Sequence, residues 1–154
     1  MSTTRPLVIA GGVAALVLVG VLALLAAWAG GERAAFTPRG LDAVPPALAA
    51  GGLTVCSRVD RPDASAPAAT AAATFLVAAA PAGCATGEVA RVGVDRFATP
   101  EARDAAARAE EVRLRPRGSA VVHTWGDLLV TVPGLADDDL TDRVGDAVRA
   151  AGGR

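Results

Sequence analysis

The sequence has no lysine and no tyrosine, one histidine, one methionine and two cysteines in 154 residues. Aromatic residues make up 3% of the chain, and every cationic side chain apart from the histidine is an arginine. The formal charge of −1 leaves no surplus of cations to displace counterions from phosphates, which argues against a nucleic-acid partner. Because 52% of the residues are hydrophobic and the net charge is small, charge-driven disorder is excluded as well.

Alanine fills much of the chain instead, a composition typical of high-G+C bacteria. Alanine is therefore a weak indicator of helix in this sequence, although its intrinsic helix propensity is the highest of all residues. The length suits one small domain with accessory segments. No glycine-rich phosphate-binding motif follows a predicted strand, and no glycine-flanked serine of the hydrolase type is present.

One long hydrophobic run, Leu7–Ala29, stands near the start of the sequence. It contains no charge, and twelve of its residues are Leu, Val or Ile. As a helix it would span about 34 Å, compared with about 30 Å for the hydrocarbon core of a bilayer. We therefore predict a transmembrane signal anchor. The alternative is a secretory signal that is cleaved near Ala29, because Ala27 and Ala29 form a small-x-small pattern around Trp28.

The charges beside this run bear on its orientation in the plasma membrane. The tail of residues 1–6 carries Arg5, and a short basic tail before an apolar run is typical of an exported chain. Arg33 stands on the other side, but it is next to Glu32, and long domains are exported largely regardless of charge. We predict that the N-terminus is cytoplasmic and that residues 30–154 lie outside the cytoplasm.

The exported part divides by composition into a linker and a domain. Residues 30–51 are rich in glycine and proline and are predicted to be a juxtamembrane linker with a short helix at best. Residues 52–154 are predicted to fold, with Cys56 and Cys84 joined in one disulfide. Closing that loop would stabilise the domain by about 3.6 kcal/mol. The alternative is a free catalytic thiol or a metal ligand.

Alternation of apolar and polar residues predicts a mostly antiparallel sheet. Strands are expected at 53–59, 69–80 and 89–97, and in a hairpin over 120–132 that turns at Gly126 and Asp127. The alanines of 69–80 would also suit a helix, and we prefer a strand there. One helix is capped by Thr99, and another begins at Asp137–Asp139 and stops at Gly152. We therefore predict a two-layer α+β domain with both helices on one face of the sheet.

His123 is the first candidate for chemistry, because it is the only histidine. It could act as a general base oriented by Asp127, with Ser119 or Ser57 as the nucleophile. In the predicted hairpin register, however, His123 lies opposite Val130 on the face that we expect the helices to cover. We therefore interpret it as a packed histidine and keep His123 and Asp127 as weak catalytic candidates.

Two charged runs are further candidates. The carboxylates of Asp137–Asp139 could hold Ca²⁺, but the residues that follow do not form a calcium-binding loop, and helix capping explains them. Arg113, Arg115 and Arg117 could contact phosphate or acidic lipid, but the acidic residues just before them favour a solvated surface. We predict no cofactor and no metal.

These features together predict a function in the bacterial cell envelope. We expect a membrane-anchored extracytoplasmic binding or interaction module that is non-catalytic and stabilised by one disulfide. Its partners would be the lipid bilayer and another envelope protein. The alternative is a small exported hydrolase or thiol enzyme that uses His123.

Overall fold

Five strands form one antiparallel sheet in the order β1-β2-β3-β5-β4. Their bounds are β1 Thr54–Arg61, β2 Ala69–Ala78, β3 Ala90–Phe97, β4 Val121–Trp125 and β5 Leu128–Val132. The α+β class and the mostly antiparallel sheet predicted from the sequence are confirmed. The alanine-rich segment is a strand, and it pairs with β1 as a hairpin.

This computed structural model describes residues 36–61, 66–118, 120–134 and 138–154. The predicted membrane segment Leu7–Ala29 lies outside them. Among the described helices, none is long and apolar enough to cross a membrane. Phe36–Arg154 forms one compact unit.

Four helices occur in the described ranges. They are α1 Val44–Ala50, α2 Pro81–Thr86, α3 Pro100–Leu114 and α4 Asp138–Ala150. Single 3-10 turns, Leu41–Ala43 and Arg115–Arg117, precede α1 and follow α3. Helix α3 begins as predicted, because the Thr99 hydroxyl accepts a hydrogen bond from the Ala102 N–H at 3.3 Å and Pro100 occupies the first turn.

The helices lie on both faces of the sheet. Helices α1 and α4 pack on one face, where they build the main core against Phe75, Val77, Val92, Val94, Leu128, Val130 and Val132. Helix α3 packs on the opposite face, where Ala106 and Ala107 meet Phe97 and Leu129. The prediction that two helices share one face is therefore wrong. Alternate residues of β5 point to opposite faces, and Leu128 and Leu129 are both fully buried, so each face needs its own cover.

The segment before the first strand is part of the core. Val44 and Leu48 of α1 are 1% and 0% exposed and belong to the main hydrophobic cluster. The compact unit begins at Phe36, so the boundary predicted near residue 52 falls inside it. Glycines and prolines suggested a linker over 30–51, but Pro45 and Pro46 occupy the first turn of α1, where proline is well tolerated.

The β4–β5 hairpin has the predicted register and turn. Trp125 pairs with Leu128 and His123 pairs with Val130, with Gly126 and Asp127 between the strands. Gly126 has a φ of 62°, and a Cβ at this position would overlap the carbonyl oxygen of Thr37. The turn therefore requires glycine both for its left-handed backbone and because another segment crosses directly over it.

Candidate functional site

The two cysteines of the chain are joined to each other. Cys56 on β1 and Cys84 on α2 form a disulfide with a Cα–Cα distance of 5.4 Å. The bond ties a six-residue helix to the edge of the sheet. With both sulfur atoms in the disulfide, neither is a free thiol or a thiolate ligand in this structure.

His123 lies between the hairpin and helix α4. The helix approaches it closely at Gly145, where an added Cβ would stand 3.3 Å from the His123 Nε2 atom. The Nη1 atom of Arg149 is 3.4 Å from the same nitrogen. Burial, and then the positive charge of Arg149, hold the pKa of His123 below its ordinary value of 6.5. The half-buried ring is therefore neutral at pH 7 and forms part of the contact between strand and helix.

This environment makes stability depend on pH in a predictable direction. As the pH falls through 6.5, His123 of the unfolded chain takes up a proton, whereas in the folded chain it stays neutral to lower pH. The unfolded state then binds more protons, so acid weakens the fold. Between pH 7.5 and pH 5 we expect the melting temperature of the wild-type chain to fall more than that of His123→Gln. If acid lowered the melting temperatures of the two proteins equally, His123 would not be a source of this pH dependence.

Asp127 is buried at the hairpin turn, with 2% of its side chain exposed. Its Oδ1 atom accepts hydrogen bonds from the backbone N–H groups of Arg39 at 2.7 Å and Gly40 at 3.3 Å. Its Oδ2 atom accepts from the Nε of Arg96 at 2.7 Å. Burial acts to raise the pKa of Asp127, but these hydrogen bonds outweigh it and hold the pKa below the ordinary value of 3.8.

Asp127 thus fastens the segment Phe36–Gly40, which precedes the 3-10 turn before α1 and which we call the N-terminal strap. The guanidinium group of Arg39 stacks 4.9 Å from the centre of the Trp125 ring, and that of Arg103 lies 5.3 Å from the centre of the Phe36 ring. Arg103 is only 6% exposed and donates to the carbonyl oxygen of Gly126. A cluster of charged and aromatic groups therefore joins the strap to the turn and to α3, with Asp127, Arg103 and Trp125 buried and the side chains of Arg39 and Arg96 exposed.

Sequence reasoning found only one member of this cluster. Only the alternative interpretation of His123 as a general base gave Asp127 a role, as its orienter, whereas in the structure Asp127 binds Arg96 and the strap backbone. Arg96 and Arg103 are in a strand and a helix where arginine is normally a surface residue. Nothing in their local spacing signals the cluster, because the strap that completes it lies about 60 to 90 positions away in the chain.

The structure does not bring the proposed catalytic residues together. Ser57 lies on β1 and His123 on β4, which are the two opposite edges of the sheet. The other candidate nucleophile, Ser119, lies outside the described residues. The arrangement therefore gives His123 no acidic orienter in Asp127 and no nucleophile in Ser57.

The acidic run leads into helix α4. Asp138 and Asp139 occupy its first turn, where carboxylates favour the positive end of the helix dipole, and Asp137 lies outside the described residues. Within the described ranges no group of three His, Cys, Asp or Glu side chains could hold a metal ion.

The basic run divides into separate environments. Arg113 pairs with Glu110 at 2.6 Å along α3, whereas Arg115 and Arg117 lie in the 3-10 turn that follows. Arg115 and Glu111 flank a surface pocket of about 320 Å³. Leu114 and Val122 form part of its lining. The ion pair between Arg113 and Glu110 agrees with the locally paired, solvated surface predicted for this part of α3.

The two edges of the sheet differ in how they are covered. Along β4, the N–H of Thr124 donates to the carbonyl oxygen of Arg154 at 2.7 Å, and the N–H of Arg154 donates back to Thr124 at 2.9 Å. Along β1, four consecutive residues, Ser57–Asp60, are exposed. The β1 edge is therefore the candidate interaction surface of the described domain.

Comparison of the chain with protein-family models, with curated proteins and with solved structures finds no match in any of the three.

Proposed function

We propose that this chain is a membrane-anchored interaction module on the outer side of a bacterial plasma membrane. The uncharged run Leu7–Ala29 would be its anchor, with residues 1–6 in the cytoplasm. The folded domain would act by binding another envelope protein rather than by catalysis. Cleavage near Ala29 would instead release the same domain as a secreted protein.

The observation that carries this proposal is the Cys56–Cys84 disulfide. Structural disulfides persist in oxidising compartments and are rare in the cytoplasm of mesophilic bacteria. An apolar run long enough to span a bilayer stands before the domain in the sequence, so the two features support the same location. The remaining polar candidates act within the fold, since Asp127 holds the strap and His123 packs against α4.

A reporter fusion tests the location directly. Alkaline phosphatase attached after Arg154 is active only where its own disulfides form, so we expect activity in intact cells carrying the full-length fusion. The matched control deletes Leu7–Ala29 and should lose that activity. A second fusion would carry a reporter that works only in the cytoplasm. If that fusion were active and the alkaline phosphatase fusion were not, the proposed location would be wrong.

Thiol labelling of the same full-length protein distinguishes the proposed binding module from the alternative, a thiol enzyme. Under denaturing, non-reducing conditions we expect no alkylated cysteine, and two after reduction, because both sulfur atoms are in the disulfide. A reactive thiol in each exported chain would support the enzyme. The mass of the mature chain then distinguishes an anchor from a signal cleaved near Ala29.

A further inference from the structure

Strand β1 is an eight-residue edge strand whose outer side has no strand beside it in the described part of the chain. The opposite edge is paired with the chain's own residue Arg154. An open edge presents unpaired N–H and C=O groups that can accept another strand. The exposed residues at its centre include Val59, which is 60% exposed and is one of two exposed large hydrophobic residues in the described domain.

The charges around Val59 are arranged symmetrically. Arg58 precedes it and Asp60 follows it, so a copy of β1 running in the opposite direction would place Asp60 opposite Arg58 and Arg58 opposite Asp60. Directly opposed residues in an antiparallel pair point to the same face, and opposite charges there are favourable. We propose that the β1 edges of two copies of this chain pair about a two-fold axis at Val59, which joins their sheets into one.

On both faces of the sheet, the side chains along the β1 edge are compatible with this pairing. On the face of the main core, Arg58 already binds Asp60 at 2.7 Å and Asp42 at 2.5 Å, so its guanidinium group is held close to the strand. A second copy would add its own Arg58 and Asp60 to form an alternating group of charges. On the other face, the two Val59 side chains would contact each other and lose their exposure to water.

The same charges select one register. Shifting the copies by two residues in either direction would place Arg58 opposite Arg58, or Asp60 opposite Asp60, and like charges directly opposite each other are destabilising. A shift by one residue would reverse the faces of the two strands. The paired segment runs from Ser57 to Arg61, because the next residue is Pro62, which has no N–H to donate.

Cysteine cross-linking in the full-length chain, purified in detergent micelles, tests the pairing. Opposed Cβ atoms in an antiparallel pair are about 4.5–5.5 Å apart, and a disulfide requires about 3.5–4.5 Å, so a small adjustment of the strands should let Val59→Cys form an intermolecular disulfide on mild oxidation. Val112→Cys is the matched control, because Val112 is 65% exposed but lies on α3. We expect at least about tenfold more cross-linked dimer from position 59. Equal yields would indicate association through another part of the chain and would overturn the proposal.

Charge complementation tests the register. In the Val59→Cys background, Asp60→Arg places arginine opposite arginine, and Arg58→Asp places aspartate opposite aspartate. Each protein alone should cross-link several-fold less than the parent, whereas an equal mixture of differently tagged proteins should recover the yield as mixed dimers. Undiminished cross-linking of either protein alone, or a mixture that recovers nothing, would refute pairing at Val59.

Discussion

Replacing both cysteines, as Cys56→Ser with Cys84→Ser, is expected to lower the free energy of unfolding by about 3.6 kcal/mol. The disulfide closes a loop with a sequence separation of 28 residues, and opening it returns the corresponding chain entropy to the unfolded state. For a domain of this size the melting temperature should fall by about 10–20 °C. Thermal melts of the full-length chain in detergent, followed by circular dichroism, measure the shift.

Reduction supplies the matched control. Dithiothreitol should lower the melting temperature of the wild-type chain by a similar amount and leave that of the double serine variant unchanged, since the variant has no disulfide to open. The loop contains β2 and most of β1, so hydrogen exchange should also quicken at the β1 edge. A wild-type melt that is insensitive to reduction would contradict the stabilising role of the bond.

The strand order near the hairpins could be predicted because short turns join neighbours. Residues of β4 and β5 alternate between the faces, and the Gly126–Asp127 turn fixes their register, so the pairing of His123 with Val130 followed from spacing alone. The place of β5 between β3 and β4 could not be obtained in this way. It depends on a connection through α3, and local sequence does not determine where such a connection returns.

Alanine limited the prediction of helix packing. Four of the five alanines of α3 lie along one side of the helix with Val112, and the spacing of Ala102, Ala105, Ala106, Ala109 and Val112 is that of an apolar stripe. The structure instead buries Arg103, Ala106, Ala107 and Leu114, and leaves Val112 65% exposed. A stripe built mostly of alanine contrasts little with the other sides of its helix, so the face that the helix buries is decided by tertiary contacts. The face of the sheet that α3 covers is likewise a tertiary matter, since Leu128 and Leu129 are both buried on opposite faces of β5.

The candidate site could also be predicted only in part from the sequence. The packed environment of His123 followed from the hairpin register, because the apolar partners of its neighbours marked that face as internal. The role of Asp127 did not follow, because its partners Arg39 and Gly40 are 88 and 87 positions away. Contacts at such separations leave no periodic signal in a single sequence.

Asp127→Ala is the second substitution with a large expected effect, a loss of about 2–3 kcal/mol in the free energy of unfolding. It removes the acceptor for two backbone N–H groups of the strap and the partner of Arg96. The N–H groups of Arg39 and Gly40 are part-buried, so the loss of their acceptor leaves part of their desolvation cost uncompensated, whereas Arg96, with 45% of its side chain exposed, can turn to water. Urea titration of the full-length chain measures the loss.

Two further variants test why Asp127→Ala should be destabilising. Asp127→Asn keeps an oxygen for the strap N–H groups but removes the charge that faces Arg96, so we expect a smaller loss of about 1 kcal/mol. Asp42→Ala removes a carboxylate whose side chain is 92% exposed and should change stability by less than about 0.5 kcal/mol. If Asp127→Ala were as mild as Asp42→Ala, the hydrogen bonds to the strap would contribute little to the fold.

The low pKa of Asp127 gives this interaction a defined pH range. Because the folded pKa lies below the unfolded value near 3.8, the carboxylate contributes its full stabilisation above that pH and loses it as the pH falls through the folded pKa. The destabilisation caused by Asp127→Ala should therefore be constant between pH 6 and pH 8 and shrink in stronger acid. Hydrogen exchange at the N–H groups of Arg39 and Gly40 should quicken in the variant at neutral pH, because the strap has lost the acceptor that Asp127 provides.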